Sequence, residues 1–355
     1  MKLYSVQYMR GLAAVLVVVA HAADHPLPQS SQLLENLGEL GVTLFFVISG
    51  FIMVAITGTG SFSPGRFLKR RAARVVPMYW LFTTIAALLA LVMPSLFKST
   101  VFTWPHYFES LLFIPHEAPG RGGYSPLLSL GWTLNYEIFF YLAFAACAAL
   151  SSRWRVVVLT AIFAALSTFG LIVQPQNLVL SFYANVSLLA FCAGGWIGQL
   201  FIERRLEKVP KFFAQLLVVT GVSALVFGLT TDGAVTFVAL LVASACLLMA
   251  GVRFDAQTRK VRPLEMLGDA SYSTYLVHMF VVGVAVALAS RLLPIEGMLK
   301  YDLTIATAII GALLAGLLVH QFIERPILRL FSPRVAGLPS DGIVRRQSRL
   351  RRLSV

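Results

Sequence analysis

Arg10 and His21 stand 11 positions apart in an otherwise apolar stretch. At about 100° per residue that spacing falls about 20° past three full turns, so both side chains share one helix face, about 16 Å apart along the axis. A guanidinium suits an anionic donor, and an imidazole with an ordinary pKa near about 6.5 suits removal of a proton from an acceptor. An arginine reaching lipid phosphates and a histidine bonded to a neighbouring carbonyl fit the same spacing.

Other ionisable groups in apolar surroundings are few, and each is costly there, which makes it a candidate for function. Glu137 is the acid placed clearly inside an apolar stretch. Its carboxylate could support a neutral His21 if their two helices pack together, with Asn135 as a further polar partner. A hydrogen bond from a tyrosine or asparagine is the structural alternative. Arg71 and Arg74 lie three apart at the expected start of a helix, followed by Pro77 and Tyr79. They occupy neighbouring positions on one face and suit a bidentate grip on phosphate, although by spacing alone ordinary charge at a membrane surface is the better explanation. Ser271, Tyr275 and His278 form a polar stripe at helical spacing, which fits a substrate path or hydrogen bonds between helices. His25, His106 and His116 are expected in or near exposed loops, and His320 at the inner surface.

The elements that position these groups are transmembrane helices. Of 355 residues 58% are hydrophobic and 13% charged, with a mean hydropathy of +0.79. Soluble domains are about a quarter charged, and a chain of this length has no core large enough for so much apolar surface. Crossing a bilayer takes about 20 apolar residues. Ten stretches qualify: 6–25, 40–57, 75–93, 129–151, 156–173, 182–202, 212–229, 234–252, 270–290 and 303–322. An even number puts both termini on one side. All but Lys98, Arg121, Arg291 and Lys300 of the 29 basic residues then fall on that side, which the positive-inside rule makes cytoplasmic. The net charge of +13 is thereby explained by topology, and a nucleic-acid partner is not expected. The expected fold is all-α: a bundle of about ten transmembrane helices in one membrane domain, 1–331. A basic cytoplasmic tail, 332–355, is expected to be disordered or held on anionic lipid. The first stretch reads as a retained helix, since it lacks a small-residue cleavage site. In the long outer segment 94–128, Phe102–Ile114 is apolar but too short to span.

Cys147, Cys192 and Cys246 lie inside expected helices without metal or redox spacing, so buried thiols and no disulfide are expected. The six histidines form no zinc signature, and no metal is expected. Gly194, Gly195 and Gly198 permit close helix packing within or between chains.

Six segments in order resemble the membrane acyltransferase 3 family over about residues 4–331. They are Arg10 with His21, the run Gly41–Phe51, Arg71–Tyr79, Trp132–Glu137 leading to Phe140 and Tyr141, Leu267–His278, and Glu324-Arg325-Pro326. The fourth segment, with Phe113–His116 and the approach from Pro126 to Trp132, is similar to the exopolysaccharide O-acetyltransferase branch. The family often has an acid where this chain has Thr43. The resemblance implies transfer of an acyl group, usually acetyl, from acetyl-CoA on the cytoplasmic side to a sugar hydroxyl. The acceptor would be an exopolysaccharide, O-antigen or lipid-linked oligosaccharide, and the location a bacterial inner membrane. In this reading His21 and Glu137 are catalytic. Arg10, Arg71, Arg74 and Tyr79 hold the coenzyme, and Trp132, Asn135, Tyr275 and His278 meet the acceptor. His21 acts as general base or takes the acyl group itself. A transporter or flippase of a lipid-linked sugar, and a non-catalytic scaffold, are the rival classes.

Overall fold

The computed structural model describes residues 3–24, 31–93, 101–120, 122–292 and 297–331. The 332–355 tail, His25, Lys98 and Arg121 lie outside the described residues. Fourteen α-helices and no sheet are present among the described residues. They are α1 (Tyr4–Asp24), α2 (Gln32–Thr57), α3 (Pro64–Val92), α4 (Trp104–Leu111), α5 (Gly131–Ala146), α6 (Ser152–Val173) and α7 (Leu178–Tyr183). The second half contains α8 (Leu188–Ile202), α9 (Lys211–Gly228), α10 (Gly233–Arg253), α11 (Arg262–Asp269), α12 (Ser271–Leu292), α13 (Met298–Val319) and α14 (Arg325–Phe331).

Nine helical stretches among the described residues are long and apolar enough to cross a membrane, and the chain is a multi-pass membrane protein. Large apolar side chains such as Ile172, Phe212, Val219 and Leu318 stand exposed on the outward faces, as lipid contact requires. The remaining stretch, 129–151, folds as α5 with 16 residues, about 24 Å of helix. The stretch 182–202 is divided between α7 and α8, and 303–322 continues through a π-helical turn, His320–Glu324, into α14. α3 starts 11 residues before the expected 75, at Pro64 behind the capping residue Ser63, so Arg71 and Arg74 lie two to three turns inside it.

α2 is the most buried of the long helices. It packs antiparallel on α1, with Gly41 against Ala13 and Val17 and Gly38 against Ala20. On another face it meets α8, where Gly50 lies against the Phe191 carbonyl and Gly194 against that of Val47. The small residues of α8 thus serve packing within the chain. α1 and α12 run parallel: Arg10 meets Ser271 near their starts, and Ala22 meets Val282 further along. α13 returns antiparallel along α12, with Gly316 against Thr274 and Ala308 against Val282. At the start of α1, Asp255 accepts from both the backbone N–H and the hydroxyl of Ser5, at 2.8 and 2.7 Å. That carboxylate satisfies a helix N–H which has no intrahelical partner.

Arg155 departs from the expectation of a surface cation. It is fully buried, donating to the carbonyls of Gly60 and Leu150 at 2.9 and 2.8 Å and of Cys147 at 3.3 Å. It also donates to Thr57 Oγ1 at 3.2 Å and stacks on Phe62 and Phe144. The three cysteines are free, but only Cys192 is buried; Cys147 and Cys246 are partly exposed.

Candidate active site

Five helices enclose a cavity of about 320 Å³. α1 contributes Arg10, whose Nη2 donates to Ser271 Oγ of α12 at 2.9 Å. α3 contributes Arg71 and Arg74, one turn apart, and α2 the stripe Val42, Phe45, Ser49, Ile52 and Met53. α5 presents Thr133, Glu137 and Tyr141, each four residues on, along a single face. From Val42 to Met53 the α2 wall runs about 16 Å. Three guanidiniums against one carboxylate leave the chamber net positive.

Glu137 stands among these cations. Its Oε1 accepts from Tyr141 and, at 3.3 Å, from Ser49. It is therefore not brought to His21 as an orienting acid, and its described partners are hydroxyls. Ser49 was not singled out from the sequence, and Tyr141 entered only through a family segment and not as a site residue, although it follows Glu137 by the four residues that align side chains on a helix.

His21 meets His278 instead. Their ring centroids are 5.1 Å apart in an edge-to-face arrangement. Each Nδ1 bonds a carbonyl of its own helix: His21 to Val17 at 2.9 Å, His278 to Tyr275 at 2.7 Å. A carbonyl only accepts, so both Nδ1 atoms carry hydrogen, and in the neutral form of each ring Nε2 presents a lone pair. His278 is fully buried and its Nε2 has no partner, whereas His21 is partly exposed. Tyr275 joins this pair to the cavity. Its ring lies 5.9 Å from that of His278, and its hydroxyl bonds Thr133 at 2.7 Å and the Leu130 carbonyl at 3.1 Å. Both Tyr275 and Thr133 belong to the cavity wall.

Other expected site residues lie elsewhere. Tyr79, Trp132 and Asn135 do not line the cavity. Tyr79 is fully buried against Gly131 and Phe113, away from the arginines it follows in sequence. Trp132 packs edge-on against Tyr136. Asn135 is buried with both side-chain polar atoms unpaired. His106 and His116, expected in exposed loops, are buried and bond each other at 2.7 Å. Burial and the neighbouring imidazole push the His106 pKa down to about 4. His320 pairs at 2.7 Å with Glu324, whose other bond comes from Ser273 at 2.6 Å. Glu324 is buried, a place not expected from the sequence, where it entered only through a family segment at the end of its apolar stretch. Among the described residues no group of three or more His, Cys, Asp or Glu is placed to hold a metal.

Helices that face lipid on the outside and enclose a cation-lined chamber define a multi-pass membrane protein with an internal polar cavity. The profile of the Acyl_transf_3 family, described as an acyltransferase domain, matches residues 3–321. The chain belongs to this family and is an acyltransferase. It is similar to the exopolysaccharide production protein ExoZ of Rhizobium meliloti (strain 1021), 36% identical over 299 residues, 83% of this chain and 90% of that protein. The acyltransferase MdmB of Streptomyces mycarofaciens is 25% identical over 388 residues, with 96% of each chain covered. Nodulation protein 10 of Rhizobium leguminosarum bv. viciae is 27% identical over 330 residues, 83% of this chain and 84% of that protein. No solved structure matches the chain.

Proposed function

We propose that the protein is an inner-membrane O-acyltransferase that moves an acetyl group from acetyl-CoA to a sugar hydroxyl of an exopolysaccharide, an O-antigen or its lipid-linked precursor. The observation that carries this reading is the single chamber that gathers Arg10, Arg71 and Arg74 and ends at Tyr275, beside the His21–His278 pair. Arginine forks match phosphate oxygens, and coenzyme A carries its phosphates at one end and its thioester at the other. Arg71 and Arg74 grip the phosphates, Arg10 the arm, and the thin thiol end runs along α2 toward Tyr275. Glu137 holds Tyr141 and limits the positive charge of the chamber. His21, its Nδ1–H held by the Val17 carbonyl, uses Nε2 to remove the proton of the acceptor hydroxyl as that oxygen attacks the acyl carbon. Trp132 and Asn135 belong to the acceptor side, where the unpaired Asn135 amide matches sugar hydroxyls.

Ten crossings with both termini cytoplasmic suit this chemistry. The parallel course of α1 and α12 supports the count, because helices separated by an even number of reversals point the same way, as they do with α5 counted as a crossing. A polysaccharide acceptor is favoured by the likeness to an exopolysaccharide production protein. The test is purified protein in nanodiscs with radiolabelled acetyl-CoA and a lipid-linked oligosaccharide extract, wild type against His21→Ala. Label is expected on the saccharide with the wild type and is lost with the variant, while coenzyme A still binds. Near-normal transfer by the variant would remove His21 from the mechanism.

A further inference from the structure

The role of His278 goes further than contact with an acceptor. A fully buried neutral imidazole whose Nδ1–H is spent on a backbone carbonyl keeps one reactive feature, the Nε2 lone pair, and here that atom has no partner among the described residues. An unpaired buried acceptor is costly to maintain, which points to use in the reaction. The His278 ring lies 5.9 Å from that of Tyr275, a wall residue of the chamber, so one side chain separates it from the donor side. His21 has the same Nδ1 anchor but is partly open to its surroundings, where a bulky saccharide can approach. The two rings touch edge to face.

We infer that His278 is a second catalytic residue, the nucleophile that carries the acyl group between donor and acceptor. This rests on the acyl-CoA reading above. The His278 Nε2 lone pair forms a bond to the thioester carbonyl carbon, the C–S bond breaks, and its electron pair leaves on the coenzyme A sulfur. His278 is then an N-acylimidazolium, its Nδ1–H still bonded to the Tyr275 carbonyl. The acceptor hydroxyl loses its proton to His21 Nε2 as its oxygen bonds the acyl carbon, and the C–N bond breaks to restore neutral His278. The proton on His21 passes to water, and the coenzyme thiolate takes one from water, so the sum is thioester plus alcohol giving ester plus thiol. Full burial is what an acylimidazole needs, since water would hydrolyse it, and partial exposure is what a base for a large acceptor needs. Tyr275 must swing from the Thr133 hydroxyl to let the thioester reach His278, a lid motion of one side chain.

Isotope exchange without acceptor tests this assignment, because label passes between acetyl-CoA and free coenzyme A only through a covalent acyl-protein. The assay uses the full chain in nanodiscs with acetyl-CoA and tritiated coenzyme A, for wild type, H21A, H278A and H278N. Wild type is expected to exchange. H21A should exchange within about threefold of wild type while losing transfer to the saccharide at least about a hundredfold, the span general-base removal gives. H278A and H278N should lose exchange while binding coenzyme A with unchanged affinity, which shows that they are folded. Exchange retained by H278N, or a wild type that acylates saccharide without any exchange, would overturn the assignment and leave the acyl-CoA reading intact. Exchange lost in H21A but kept in H278A would move the acyl group to His21. A wild type that neither binds coenzyme A nor consumes the thioester would overturn the donor reading itself, and this step with it.

Discussion

Gly194 and Gly195 are neighbours in sequence, yet substitution by alanine should have opposite effects. A Cβ on Gly194 would come 1.8 Å from the Val47 carbonyl oxygen and 2.8 Å from the Phe51 nitrogen, both backbone atoms of α2 that no side-chain rotation can move. Carbon and carbonyl oxygen rest in contact at about 3.3–3.6 Å, so α2 and α8 must part by about 1.5 Å. A gap of about 0.5–1 Å already forfeits a quarter to a half of each dispersion contact, and between membrane helices dispersion is the main attraction. The Phe46–Phe191 stack, at 4.5 Å between centroids, lies in that interface. Overpacking of this kind costs about 1–3 kcal/mol, and the better helix propensity of alanine returns at most about 1 kcal/mol. α2 also carries Phe45, Ser49 and Met53 of the cavity wall, so coenzyme A affinity should fall with stability. A Cβ on Gly195 meets nothing nearer than Val156 at 3.7 Å, ordinary contact, so Gly195→Ala should be neutral or slightly stabilising. Thermal unfolding of the purified protein in one detergent, with coenzyme A binding in parallel, measures both. Equal midpoints for the two variants would refute the α2–α8 interface.

Arg71→Ala and Arg74→Ala should each weaken coenzyme A binding about 10- to 100-fold, the range of a charge-assisted bond, and reduce its salt dependence; unchanged titrations would detach the arginines from the donor. Arg155→Lys should lower stability by about 2 kcal/mol or more without altering donor affinity, because an ammonium cannot fork to the carbonyls of Gly60, Leu150 and Cys147 at once. A thermal midpoint equal to wild type would show that water satisfies those carbonyls. The outer segment should loosen in acid. His106 in the folded segment holds its proton only near pH 4, against about 6.5 when unfolded, so its contribution is complete above pH 6.5 and declines as pH falls toward about 4. Limited proteolysis between residues 101 and 130 across that range should show growing cleavage, and H106Q should flatten the profile.

Apolar stretches of spanning length determined the long helices, because a bilayer imposes a length and a polarity that each segment meets by itself. Arg10, Arg71, Arg74 and Glu137 stood out for the same local reason: ionisable groups are costly where they were found. What the sequence left open was which helices pack against which. Glu137 looked like a partner for His21 because both were ionisable groups in apolar stretches whose helices could pack together, but α5 turns it toward the arginines and α12 brings His278 to His21. Tyr79 follows the arginine pair yet faces Gly131, since a helix rotates successive residues to different neighbours. Arg155 and Glu324 read as surface charge and as a helix end, and burial by distant segments made them internal. Local pattern determined which side chains the membrane sequesters. Only tertiary packing decided which of them meet, because contacts between helices joined through several reversals depend on how their faces fit, a property no single segment contains.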